Sequence, residues 1–270
     1  MAGAPELTVH IGSIPYPWAN PNVWNVVGSP DGSPSDPVVG AQNWCWVKVK
    51  NEGTEDTTVT VRFYYCTPNG AVDKWRYFIN NPAGSTAPTP IAAGETKELV
   101  ATSSWAPPST GHVCILCVAS APDDPAPPQD PDIAPQINDR HIAQRNMTAA
   151  LARAGAAVEH EFQVAPGTTL VVSRGKASSL MPLFGQLGVA AAPAELGDAP
   201  FGIVPEGAAR IASGLVQRMQ VTEATAPIQT LRVEVPPDAR PGQGAFFRIE
   251  ALDAGGQVVG GTGLLVRVQP

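Results

Sequence analysis

Proline and glycine punctuate this chain so often that long helices are hard to build: 29 prolines and 26 glycines are spread over 270 residues. Proline inside a helix loses a backbone hydrogen bond and clashes with the preceding turn, and glycine adds an entropic cost there. Between these breaks stand short apolar runs with a period of two, the pattern of half-buried strands. Hydrophobic residues make up 43% of the chain, which argues for packed cores rather than disorder. The expected fold class is all-β, built as antiparallel sandwiches.

The large rings and thiols are unevenly placed. All six Trp, all four Tyr and all four Cys lie in the first 117 residues, and the remaining 153 hold none of these types. The second part must build its core from Val, Leu, Ile, Ala and five Phe. Length allows one large or two ordinary domains. Two domains are expected: 1–150 with a Pro-rich lead-in, and 155–270, joined by an Ala-rich linker over 149–157.

The strand signals are local. Over 44–50, Cys45, Val47 and Val49 share one face and Trp46, Lys48 and Lys50 the other. Over 58–65, Val59, Val61, Phe63 and Tyr65 alternate with Thr60, Arg62 and Tyr64. A short polar turn separates these runs, so a hairpin or neighbouring strands are expected. Further strands are predicted at 75–79, 97–100, 111–118 and 141–148. Residues 121–137 carry six prolines, which predicts a long loop. The second part predicts strands at 161–164, 169–172, 202–205, 216–221, 231–235, 247–251 and 258–268, with a hairpin turn at Asp253-Ala254-Gly255-Gly256.

Four patterns in the first part occur in order: Pro21-Asn22-Val23-Trp24, Val47-Lys48-Val49-Lys50-Asn51-Glu52-Gly53-Thr54, Gly111-His112-Val113-Cys114-Ile115-Leu116, and Asp139-Arg140-His141-Ile142-Ala143-Gln144-Arg145-Asn146. The series resembles bacterial immunoglobulin-like domains of the CARDB type, over about residues 6–150. A second, generic immunoglobulin-like unit follows over 155–270. The resemblance implies a non-catalytic module of the kind found beside secreted hydrolases or in surface and adhesion proteins, with no shared catalytic residues. In that frame Cys45 and Cys114, 69 residues apart, suit inter-sheet packing, and His112 takes the place of a tyrosine corner. An antibody-type core Trp is missing, with Val59 and Val61 in its place. Gly53 is expected to supply a positive φ in a tight turn.

Charge narrows the partners. The first 153 residues carry 9 basic and 14 acidic side chains and the rest 8 and 10. With no basic run to hold a phosphate backbone, nucleic-acid binding is not expected. No apolar run approaches the roughly 20 residues of a membrane span. Met1-Ala2-Gly3-Ala4-Pro5-Glu6 lacks the basic and apolar regions of a signal peptide. The expectation is cytoplasmic synthesis, with non-classical export or assembly into a larger particle.

Candidate chemistry is sparse. Cys114 and Cys117 have a Cys-x-x-Cys spacing, but a strand turns them to opposite faces and no second ligand pair completes a zinc site. The alternatives are disulfides, Cys45 with Cys114 and Cys66 with Cys117, or four buried thiols. Asp123, Asp124, Asp130 and Asp132 could hold calcium or simply line a solvated loop. Trp18, Trp24 and Trp46, with Trp44 and Trp75, could form an aromatic platform for sugar rings or fill a core. His10, His112, His141 and His160 are scattered, and Asp139 and His141 form at most a pair on one face without a nucleophile. No catalytic, cofactor or metal residue is expected.

The chain is therefore read as a structural or interaction protein, with a protein partner or self-assembly. A carbohydrate-binding or accessory module of a secreted hydrolase system is one alternative, and a phage or injection-apparatus decoration subunit another. The lead-in up to Gly40 is expected to cross its own domain or to reach a neighbouring subunit.

Overall fold

The computed structural model describes residues 4–66, 76–107, 113–132, 135–204, 216–222, 224–226 and 228–269. The chain is all-β, and its described residues fall into two compact units that meet in sequence between Arg145 and Asn146.

The first unit contains β1 (Leu7–Thr8), β2 (Val23–Val27), β3 (Pro34–Ser35), β4 (Asn43–Asn51), β5 (Thr57–Cys66), a short helix α1 (Arg76–Ile79), β6 (Pro82–Ser85), β7 (Thr89–Ile91), β8 (Thr96–Val100), β9 (Cys114–Ser120) and β10 (Ile142–Arg145). Strand β4 is the hub of one sheet, pairing with β1, β2 and β8. Strands β5 and β9 form the middle of the other, flanked by β10 and by β6 and β7. The two antiparallel sheets form a β-sandwich, with β4 and β8 paired in one sheet and β5 and β9 in the other.

The predicted hairpin of β4 and β5 does not form; the two strands lie in different sheets. Each has one apolar face, and opposing the faces buries both. Cys45, Val47 and Val49 meet Val59, Val61 and Phe63 in one core cluster with Ile115, Cys117 and Ala119 of β9. Burying a large aliphatic side chain is worth about 1.5–3 kcal/mol, more than one edge pairing offers.

The other face of β9 is also buried. Cys114, Leu116 and Val118 pack with Tyr64, Cys66, Phe78 and Ile142 in a smaller cluster outside the sandwich. Residues 75–79 were expected as a strand, but Arg76–Ile79 is helical, and Trp75 lies outside the described residues. Fully buried Phe78 is the reason: one helical turn lets it cap the sheet.

Gly53 has no positive φ. Its role is close approach: a Cβ there would stand 2.1 Å from the Ala4 carbonyl oxygen and 2.6 Å from the Glu6 nitrogen. The lead-in threads beside this turn, where Asn51 Oδ1 accepts from the amides of Glu6 and Gly53.

The second unit holds β11 (Met147–Ala152), β12 (Ala157–Gln163), β13 (Thr169–Gly175), β14 (Ala194–Glu195), β15 (Phe201–Val204), β16 (Val216–Gln220), β17 (Ile228–Glu234), β18 (Gln243–Leu252) and β19 (Val258–Val268). One sheet runs β11-β19-β18-β13-β16 with β14 beside β18, and the other runs β12-β17-β15. The sheets bury Phe162, Leu170, Phe201, Leu231, Phe247 and Leu264 between them. The turn at 253–256 forms as expected, with Gly256 at φ +79°. The expected linker over 149–157 is in part strand: β11 pairs in parallel with β19, Ala150 opposite Val266. The predicted strand 141–148 is accordingly two strands, β10 in the first unit and β11 in the second.

Candidate functional site

The lead-in lies across its own unit. Beyond β1, the Val9 amide donates to the Arg140 carbonyl at 2.8 Å and the Asn20 amide to that of Gln144 at 2.8 Å. His10 Nε2 meets the Ile142 carbonyl at 2.8 Å. These bonds cover the outer edge of β10, an edge that would otherwise offer unpaired backbone groups. Buried Asn20 and Asn22 secure the strap through their side-chain amides, both of which donate to the Val9 carbonyl.

The tryptophans hold this framework together. Trp18 is fully buried and stacks on Tyr16 at 5.0 Å, so it does not face a ligand. Trp24 and Trp46, opposite one another on β2 and β4, are half-buried and stack at 5.9 Å and 10°. Trp46 Nε1 donates to the Pro30 carbonyl at 3.2 Å and Trp44 Nε1 to the Gly28 carbonyl at 3.1 Å. These rings turn toward each other and their N–H groups clasp the loop after β2, an arrangement that differs from an open platform. Trp75 lies outside the described residues.

None of the four cysteines is in a disulfide, and all are buried. Cys45 and Cys117 share the main core, close enough that Cys117 disfavours ionisation of Cys45, whereas Cys66 and Cys114 are cross-strand partners on β5 and β9. The pairings of Cys45 with Cys114 and of Cys66 with Cys117 fail because Cys114 and Cys117 point to opposite faces of β9. Burial holds the Cys45 thiol far above its ordinary range, with Cys117 adding to the effect and the neighbouring Trp105 side chain opposing it. Burial pushes Cys117 up to about 12, against a backbone hydrogen bond at Ala143.

Asp124 is taken by protein groups. Arg140 Nη1 and Nη2 donate to its two oxygens at 2.8 and 2.6 Å, and the Leu7 amide donates at 2.6 Å. His141 Nε2 lies 3.2 Å from the same carboxylate and its Nδ1 2.8 Å from Asp139. Burial resists ionisation of Asp124, but the Arg140 and Leu7 hydrogen bonds and the neighbouring positive charges outweigh it and hold the carboxyl below its usual range. Asp130 accepts from the Asp132 amide, while Asp123 is exposed. Among the described residues no group of three or more His, Cys, Asp or Glu could hold a metal ion. The Asp139–His141 pair thus belongs to the lead-in anchor. His160 is buried in the second unit beside Thr262 at 3.4 Å, and His112 lies outside the described residues. Fully buried Arg145, 2.7 Å from Asp36, had no signal in the sequence.

A groove of about 730 Å³ opens on the outer face of the β5–β9 sheet. Its floor is Thr58, Thr60 and Arg62 of β5 with Val118 and Ser120 of β9; its walls are Pro88, Pro122, Ala126, Pro127 and Gln129. The rest of this face is closed under Phe78 and Ala126. The loop expected over 121–137 supplies proline walls to this groove, a role that loop composition alone does not show. Period-two alternation, which puts Thr58, Thr60 and Arg62 on one face, was the available signal.

No family model and no curated protein matches the chain. Among solved structures it is similar to red sea bream transglutaminase, at 13% identity and a TM-score of 0.25 over 92% of this chain and 31% of that one. It is also similar to a beta-glucosidase from Paenibacillus barengoltzii (15%, TM-score 0.21, 53% and 17%). A third is Lac15 from a marine microbial metagenome (11%, TM-score 0.23, 86% and 57%). The chain spans less than two thirds of each. Among the described residues, no helix is long and apolar enough to cross a membrane.

Proposed function

We propose that this chain is a non-enzymatic interaction and assembly protein that presents the outer sheet face of a CARDB-like first unit to a protein partner. One observation carries the reading: the groove over β5 and β9 stays open on a face that is otherwise capped. A rigid sheet floor with walls from a loop is a common way to build a recognition surface. The buried polar clusters have structural duties: Asp124, Arg140 and His141 anchor the lead-in, and the tryptophans clasp a loop. Sugar recognition is less favoured, because Trp24 and Trp46 stack on each other and the Trp46 N–H is engaged by the chain itself.

The test is the native mass of the full chain in gentle extracts of its source cell. Assembly gives a species well above the 28.1 kDa single chain. A lone 28.1 kDa species at native concentration contradicts the proposal.

A further inference from the structure

We infer that the groove over β5 and β9 takes an extended peptide segment carrying one carboxylate, held by Arg62. This deepens the assembly reading above and rests on it.

The floor is rich in donors. The Arg62 side chain is exposed and, among the described residues, makes neither a hydrogen bond nor an ion pair; it is also the charged residue among those that line the groove. Thr58 and Thr60 stand in line with it at two-residue intervals on β5. Ser120 Oγ accepts from the Ala126 amide, which leaves its own O–H to donate. Gln129 Oε1 accepts from the Tyr64 hydroxyl, which turns its amide nitrogen to donation. No carboxylate lines the floor. Such a surface matches a ligand made of acceptors: the carbonyls of a peptide and one carboxylate opposite the guanidinium fork.

Shape and charge select among acidic ligands. From Thr58 to Arg62 the floor spans about 13 Å, the length of four residues of extended chain. Proline walls give rigid apolar sides. No aromatic ring lines the groove, which disfavours a pyranose. One cation is too few for a polyanion backbone. Asp123, Asp130 and Asp132 sit on the wall loop without lining the groove, and they repel ligands of higher negative charge.

The experiment is fluorescence anisotropy on the full chain with a labelled five-residue peptide of β-branched residues around a central glutamate. The controls are the same peptide with glutamine and an oligogalacturonate. The glutamate peptide is expected to saturate, and the glutamine peptide to bind roughly tenfold more weakly. Arg62→Ala, an exposed change, removes that difference at unchanged thermal stability, and Arg62→Lys restores part of it. Equal binding of the two peptides, indifference to Arg62→Ala, preference for the oligogalacturonate, or no peptide binding each overturns the inference. A high native mass alongside any of these leaves assembly standing and removes only this site.

Discussion

Arg140 grips Asp124 with both ends of its guanidinium fork, Nη1 to Oδ2 at 2.8 Å and Nη2 to Oδ1 at 2.6 Å. The same carboxylate receives the Leu7 amide, so this one pair ties the lead-in strand to the loop before β10. The sign of its pH dependence follows. Folding lowers the Asp124 pKa, from about 3.9 in an unfolded chain. Its contribution is full above the unfolded value and is lost as pH falls through the folded one. Asp124→Asn should cost about 1–3 kcal/mol at pH 7, the partly exposed Arg140 limiting the loss. Urea titrations from pH 7 to pH 2 should show the two proteins converging at the acid end.

Cys45 and Cys117 should be inert in the folded chain. Burial holds both as neutral thiols, and the thiolate is the reactive form. A thiol reagent at pH 7 should label none of the four cysteines before unfolding and all four afterwards without reductant. Fewer than four under denaturing conditions would mean a disulfide.

Trp46→Ala should release the loop after β2 by removing both the stack on Trp24 and the N–H bond to Pro30. The expected loss is about 1–3 kcal/mol. Hydrogen exchange should rise across 28–35 while amides of the second unit stay protected.

Gly53→Ala places a methyl against the Ala4–Glu6 backbone. A cost of about 1–3 kcal/mol is expected from the forced shift, with faster exchange at Leu7. Gly185→Ala, where nothing lies within 4 Å and φ is not positive, should change stability by less than about 0.5 kcal/mol.

Strands with clean alternation were legible in the sequence. The inner and outer faces of β4 and β5 were read correctly because one buried face imposes the period. Partnership was not legible: β4 and β5 are close in sequence, yet core burial sends them to different sheets. The Cys114–Cys117 spacing showed the opposite faces, but the partners of each thiol depended on that same unseen pairing. Gly53 looked like a turn residue because its true constraint, the Ala4–Glu6 backbone, lies nearly fifty residues away. The alternation puts Arg62 on the face with Thr60 and Tyr64, but its setting comes from β9 and from a proline loop about sixty residues further on.

A photo-cross-linking residue at position 60, compared with one at position 24, tests the interaction face most directly in the source cell. The expected result is a protein adduct from position 60, weakened by Arg62→Ala, with little from position 24. No protein adduct at position 60, or one formed only from position 24, would contradict it.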